Sequence, residues 1–212
     1  MHIRSIGRIA FEIAIIVLVF GITGCEKINK MIPEDTSVES FLGVWEIETL
    51  NGKTLEESFL ESDDEIEQPT DVEFKVIQKI WKFFPDGTWD FTFEFTTSVS
   101  IPDPTDIEST GTINSHQIHT ANGTYTVNGT TIILMEKDAK ATVDVTFEPR
   151  EFWEAQGENV DDLEQLAKQD LEEMSPDSIV KEDEFEWFVI DDMLTFTNPD
   201  LDYQLKRSDT NP

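Results

Sequence analysis

Few residues of this chain could do chemistry, and they are scattered. Cys25 is the only cysteine, so an intrachain disulfide is excluded. His116 and His119 lie three apart. Two imidazoles make a metal site only with a third ligand and a backbone that brings them together; neither is evident, and no metal is expected. The acidic loop at Asp63, Asp64, Glu65 and Glu67 lacks the alternating pattern of a calcium loop and reads as a solvated loop. Carboxylate pairs are too abundant, 45 Asp and Glu in 212 residues, for any one pair to stand out as acid and base. There is no nucleophile elbow and no glycine-rich phosphate loop. An enzyme and a cofactor are therefore not expected. The remaining chemistry is aromatic. Trp89, Phe91, Phe93 and Phe95 alternate along one stretch, with Trp81 and Tyr125 near them in pattern. Such rings can wall a cavity for a small hydrophobic ligand, or they can simply fill a core.

The surroundings of Cys25 give it a use. Met1–Arg8 carries Arg4 and Arg8 and no acid, and Ile9–Phe20 is apolar except for Glu12. A basic segment followed by a short apolar one is a secretory leader; a permanent span takes roughly 20 apolar residues. Ile22-Thr23-Gly24-Cys25 follows directly and resembles the bacterial lipobox. The resemblance implies a diacylglycerol on Cys25, cleavage after Gly24, and a membrane contact made through acyl chains. Each buried CH₂ contributes about 0.8 kcal/mol, so two or three chains anchor stably. An uncleaved anchor with an incidental cysteine is the alternative. Either way residues 40–208 face away from the cytoplasm, in the bacterial cell envelope. Residues 1–24 are then signal peptide, 25–39 lipidated N-terminus and tether, 40–208 the folded domain, and 209–212 a tail. The formal charge of −30 repels phosphate backbones, so nucleic acid is excluded as a partner. A monomer is expected.

The elements that position the aromatics are mostly strands. Period-two alternation marks Thr88–Val99, with Trp89, Phe91, Phe93 and Phe95 on one side and Asp90, Thr92 and Glu94 on the other. Pro85-Asp86-Gly87 joins it to Val72–Phe84 as a hairpin. The apolar phase of that first arm slips near Gln78, which predicts a β-bulge. Ser40–Leu50 is a first strand, and Lys53–Leu60 a short helix. Ser100–Gln117 reads as a loop with weak strand character at Thr110–Ile113. Asn128-Gly129 predicts a two-residue hairpin between Thr124–Val127 and Thr130–Met135. Ala141–Glu148 alternates again. Pro149–Gln156 is a short helical lead-in to an amphipathic helix over Asn159–Met174, capped by Asn159. That helix either covers an open part of a sheet or acts as a lid. Three short strands, Glu184–Ile190, Met193–Thr197 and Leu201–Arg207, end the chain. The fold class is mainly β: an antiparallel meander closing into a barrel of about 8–10 strands, with one late amphipathic helix. A sandwich is the alternative.

Gly43-Val44-Trp45 in the first strand resembles the G-x-W of lipocalins, and Lys206-Arg207 resembles that family's terminal basic residue. FLGVWEIETLNGK, FFPDGTW, GTYTVNGTTIIL, MLTF and YQLKR, in that order, are similar to bacterial lipocalin-like domains of small lipoproteins. The resemblance spans most of Phe41–Arg207. It implies a lipocalin-like barrel closed at one end by Gly43, Trp45 and Arg207, with the arginine packed across the tryptophan. The helix before the last strands, the missing disulfide pair and the absence of the second and third lipocalin motifs depart from the classical pattern. Fold does not fix function. Two readings stand: an envelope lipoprotein that binds a small hydrophobic ligand through Trp81, Trp89, Phe91, Phe93, Phe95 and Tyr125, or an interaction or structural module whose barrel is filled.

Overall fold

The computed structural model describes residues 37–61, 72–103, 109–174 and 182–208. The leader, Cys25 and the tether as far as residue 36, the acidic loop from 62 to 71 and the tail from 209 lie outside the described residues. Eight antiparallel strands run in chain order around a closed barrel: β1 (Gly43–Leu50), β2 (Val72–Phe83), β3 (Thr88–Pro102), β4 (Thr110–Asn128), β5 (Thr131–Glu148), β6 (Glu182–Ile190), β7 (Met193–Thr197) and β8 (Asp202–Arg207). Among the described residues four helices accompany them: α1 (Val38–Phe41), α2 (Leu55–Glu61), α3 (Arg150–Ala155) and α4 (Val160–Met174). The protein is therefore a mainly β meander barrel, and the sandwich is set aside.

Turn chemistry explains the hairpins. At Pro85-Asp86-Gly87, Gly87 takes φ +82, and the Asp86 carboxylate accepts from the Thr88 N–H at 3.0 Å and its hydroxyl at 2.6 Å. Those bonds hold the Asp86 carboxyl below the ordinary carboxylate range. The β4–β5 turn is Gly129-Thr130, one residue later than Asn128-Gly129, because Asn128 pairs with Thr131. The phase slip in β2 is a register shift between Val76 and Gln78. One reading is corrected: of Ser100–Gln117, expected as a loop, residues 100–102 end β3 and residues 110–117 are the first part of a 19-residue β4. Its inward positions are polar, which erased the apolar alternation that marks a strand. The stretch Ala141–Glu148 likewise belongs to one continuous β5. The single turn α1 was not foreseen.

The barrel closes unevenly. β1 pairs with β2 over only four positions, Gly43–Glu46, and β5 with β6 over five, Thr131–Met135. β3, β4 and β5 run on well past this ring. Cross-strand partners share a face of the sheet, so the registers define the inner wall row by row: Trp81–Phe91–Ala121–Ala139, then Lys79–Phe93–His119–Ala141, Val76–Phe95–Gln117–Val143, Phe74–Thr97–Ser115–Val145 and Val72–Val99–Ile113–Phe147. Two apolar clusters occupy this wall. One fills the closed end around Trp45, Trp81, Phe83, Trp89 and Phe196. The other joins Ile113, Val143, Val145 and Phe147 to Phe152, Trp153, Val160, Leu163, Ala167 and Leu171 of α3 and α4. The helices therefore cover the inner wall of β4 and β5. A Cβ on Gly111 would run into the Phe152 ring, which shows how closely α3 approaches.

The seam between first and last strands is built at one point. Trp45 pairs with Arg207, and the guanidinium carbon lies 4.2 Å from the Trp45 ring centroid. Arg207 donates to the Ser40 carbonyl at 2.6 Å and the Leu42 carbonyl at 3.1 Å. Trp45 Nε1 donates to the Phe41 carbonyl at 2.6 Å. Gly43 sits at φ +125, where an added Cβ would meet the guanidinium at 3.2 Å. Only glycine holds that backbone without strain. Arg207→Ala removes the ring contact and leaves two carbonyls unpaired, so the expected loss of stability is about 2–3 kcal/mol in urea unfolding. Arg207→Lys should recover less than half, because one ammonium cannot span both carbonyls. An unchanged midpoint in Arg207→Ala would show that the seam does not carry the closure.

Candidate functional site

Between the two apolar clusters the inner wall turns polar. Thr97 on β3 and Ser115, Gln117 and His119 on β4 are all buried. They bond to one another in a ladder. The Thr97 and Ser115 hydroxyls are 2.6 Å apart, Gln117 Nε2 donates to Ser115 Oγ at 3.3 Å, and His119 Nε2 donates to Gln117 Oε1 at 3.3 Å. Alternation on a strand puts residues 115, 117 and 119 on one side, so the ladder follows from sequence spacing. A buried hydroxyl or amide left unbonded costs about 1–3 kcal/mol, and the ladder avoids most of that cost without outside partners. His119 stacks flat on Phe95, with centroids 5.6 Å apart and planes at 11°. Burial holds its imidazole below the usual histidine range, so it is neutral at neutral pH.

The predicted aromatics divide between core and mouth. Trp81, Trp89, Phe91 and Tyr125 belong to the closed-end cluster. Trp81 packs on Trp89 at 5.3 Å and on Phe91 at 5.1 Å. The Tyr125 hydroxyl donates to the Phe84 carbonyl, and Trp89 Nε1 to the Thr124 carbonyl at 3.1 Å. Phe95 is fully buried beside the ladder, and Phe93 packs on it at 4.9 Å. Phe93 itself is only half-buried, as are Val76 and Lys79 on the neighbouring strand. The inner wall is thus shut over β4, over Val143–Phe147 of β5 and over β3 except at Phe93, and partly exposed along β2 and at Ala139 and Ala141. α2 borders this side through its contacts with β1 and β2, and Leu55 reaches into the core. The buried indole Nε1 of Trp81 has no hydrogen-bond partner among the described residues. Gly43, Trp45 and Arg207 lie at the closed end, away from the mouth.

His116 and His119 do not meet. Three residues apart on a strand, they point to opposite faces. His116 lies on the outer face, where its Nε2 is 2.8 Å from Glu94 Oε1. Among the described residues no group of three or more His, Cys, Asp or Glu side chains could hold a metal. Sequence reasoning passed over Thr97, Ser115 and Gln117. The signal was present as a period-two run, Gly111, Ile113, Ser115, Gln117, His119, Ala121, hidden because three of its members are polar.

Comparison with protein-family models, with curated proteins and with solved structures gives no match. The class therefore rests on the fold: a closed eight-stranded antiparallel barrel, consistent with a lipocalin-like fold. Among the described residues no helix is long and apolar enough to cross a membrane.

His119 makes the site pH-sensitive. Its folded-state pKa lies below the unfolded value of about 6.5, so the unfolded chain binds the extra proton first. Stability contributed by the neutral ring is then lost as pH falls below about 6.5. His119→Phe keeps a ring on Phe95 and removes the titration, at a pH-independent cost of about 1 kcal/mol for the Gln117 bond. Denaturant midpoints at pH 7.5 and 5.5 should fall more on acidification in the wild type than in the variant. Equal drops would mean that His119 does not titrate in this window.

Proposed function

We propose that this protein is a lipid-anchored binding module of the bacterial cell envelope that holds a small hydrophobic ligand in the partly open mouth of its barrel. The uneven closure of the inner wall carries this reading. The closed end is filled by aromatic rings, while Val76 and Phe93 face inward and remain half-exposed. They border a short polar ladder and Lys79 on a mostly apolar wall, the mixture a ligand pocket uses for orientation. The ligand surface is then Phe93 and Phe95 with the ladder, and Trp81, Trp89, Phe91 and Tyr125 form its floor.

The filled closed end serves the second reading, an interaction or structural module. That reading needs an apolar outer surface, and α4 does not supply one. Its described outward side carries Asp161, Asp162, Gln165, Gln169 and Glu172, with Leu166 the exposed apolar residue among them. The anchor rests on the lipobox-like Ile22-Thr23-Gly24-Cys25. From Cys25 to Ser37 the chain can reach about 40 Å when extended, enough to hold the barrel clear of a lipid surface.

Two measurements test the two halves of this reading. Metabolic labelling with an alkyne fatty acid should mark the wild type and leave Cys25→Ala unlabelled; an unlabelled wild type removes the anchor. Native mass spectrometry of the detergent-extracted protein should show a constant extra mass that survives gentle activation. Phe93→Asp, which removes the ring and sets a carboxylate opposite Lys79, should lose that mass while keeping its β-sheet spectrum. A mass that persists in Phe93→Asp would place the adduct elsewhere.

A further inference from the structure

We infer that the mouth selects an amphipathic anion, a molecule with an apolar body and a single carboxylate head taken by Lys79 and Trp81. This rests on the binding role proposed above and assigns the head group that such a ligand carries. Lys79 and Trp81 are two apart on β2, opposite Phe93 and Phe91, so they share the inner wall about 7 Å apart along the strand. The Trp81 indole N–H is a buried donor with no acceptor among the described residues; Trp153 and Trp187 share that feature, but Trp81 alone of the three lies on β2 beside Lys79. Lys79 is half-buried and has no ion-pair partner among the described residues. The other described base on the inner wall, Arg207, is engaged with Trp45 and two carbonyls. In a chain with 45 acids and 15 bases, an inward lysine without a carboxylate stands out.

The two groups ask for one kind of partner. Both are donors, and one is charged. A carboxylate satisfies both at once, one oxygen facing the ammonium and the other accepting from the indole. A neutral alcohol accepts the indole proton but leaves the ammonium charge unpaired in a partly desolvated site. A phosphate dianion calls for more cations than the single lysine present. From the head, an apolar body runs along Val76, Phe93 and Phe95. The ladder of Thr97, Ser115, Gln117 and His119 lies beside it, bonded within itself and uncharged at neutral pH. The chain's long-range field opposes an anion, but at physiological salt it is screened over about 8 Å, whereas the contact with Lys79 is local.

Titration calorimetry on the full chain in zwitterionic nanodiscs, with empty discs as blank, separates the possibilities using octanoate and 1-octanol. The expected result is octanoate binding at least about tenfold tighter than octanol. Lys79→Met should abolish the preference, so that octanoate binds no tighter than octanol. Lys79→Arg should restore most of the preference, and Trp81→Phe should reduce it severalfold. Thermal unfolding of each variant checks that the barrel is intact. Equal binding of both probes, or a preference that survives in a folded Lys79→Met, overturns the anion assignment and leaves the binding role standing. Binding of neither probe overturns both.

Discussion

Everything in this barrel depends on joining its first strand to its last, and one tryptophan–arginine pair sits at that join. A meander of eight strands has two free edges until β1 meets β8, and free edges recruit other chains. The pairing is short and includes a register shift between Ile47 and Thr49, so ladder bonds alone are a modest seal. Arg207 adds what the ladder lacks. Its planar fork reaches back across Trp45 to the carbonyls of Ser40 and Leu42, tying the entering chain to the strand that ends the fold. Phe41, immediately before β1, is carried by this clamp into the core, where it meets Phe83, Tyr125 and Trp187 at 5.1–5.2 Å. The closed end is therefore both sealed and filled by residues within a few positions of the seam.

Closure at one end creates the problem solved at the other. β5 pairs with β6 over its first five residues and then continues, among the described residues, without a strand neighbour on that side. A bare edge of that length is unstable and sticky. α3 and α4 resolve it. The longer helix buries Val160, Leu163, Ala167 and Leu171 against Val143, Val145 and Phe147. The Glu164 carboxylate accepts from the Phe147 backbone N–H at 3.3 Å, replacing a strand partner with a side chain. Lys168 reaches Asp144 at 3.5 Å, and Arg150 holds Asp161 at 2.7 Å. Burial keeps the helix in place, and these exposed ion pairs add little. The covering stops at β5 and β4, which leaves the mouth at β2 and β3.

Most of the architecture was legible because its inner wall is apolar where the chain is regular. Trp89, Phe91, Phe93 and Phe95 announced β3, the slip at Gln78 announced the bulge, and the three-and-four spacing of Leu163, Leu166, Ala167 and Leu171 announced the helix. The first half of β4 was illegible for a physical reason. Period-two reading relies on apolar residues facing in, and here Ser115, Gln117 and His119 face in while Asn114 and His116 face out. Both faces are polar, so no contrast remains. The candidate site was half legible. Its aromatics could be named from spacing, but their division into floor and mouth could not, because that depends on which strands the helices cover. Local rules tend to fail where structure serves something other than folding, and here the failure falls on the ladder itself.

The polar band sets this inner wall apart from a uniformly apolar one. An inner wall meant only to pack would carry apolar residues at 97, 115, 117 and 119, gaining burial and avoiding the need to satisfy four polar side chains in a dry place. The chain instead holds them in a self-contained ladder, so the wall is polar without requiring water. A ladder of that kind is neutral and rigid, with His119 pinned against Phe95 and Ser115 against Thr97. It runs as a fixed, uncharged polar rail beside Phe93 and Phe95. On the opposite side of Phe93, β2 carries two donors, Lys79 and Trp81, that have no partner among the described residues. The apolar strip of Phe93 and Phe95 thus lies between a bonded polar rail on one side and these two donors on the other.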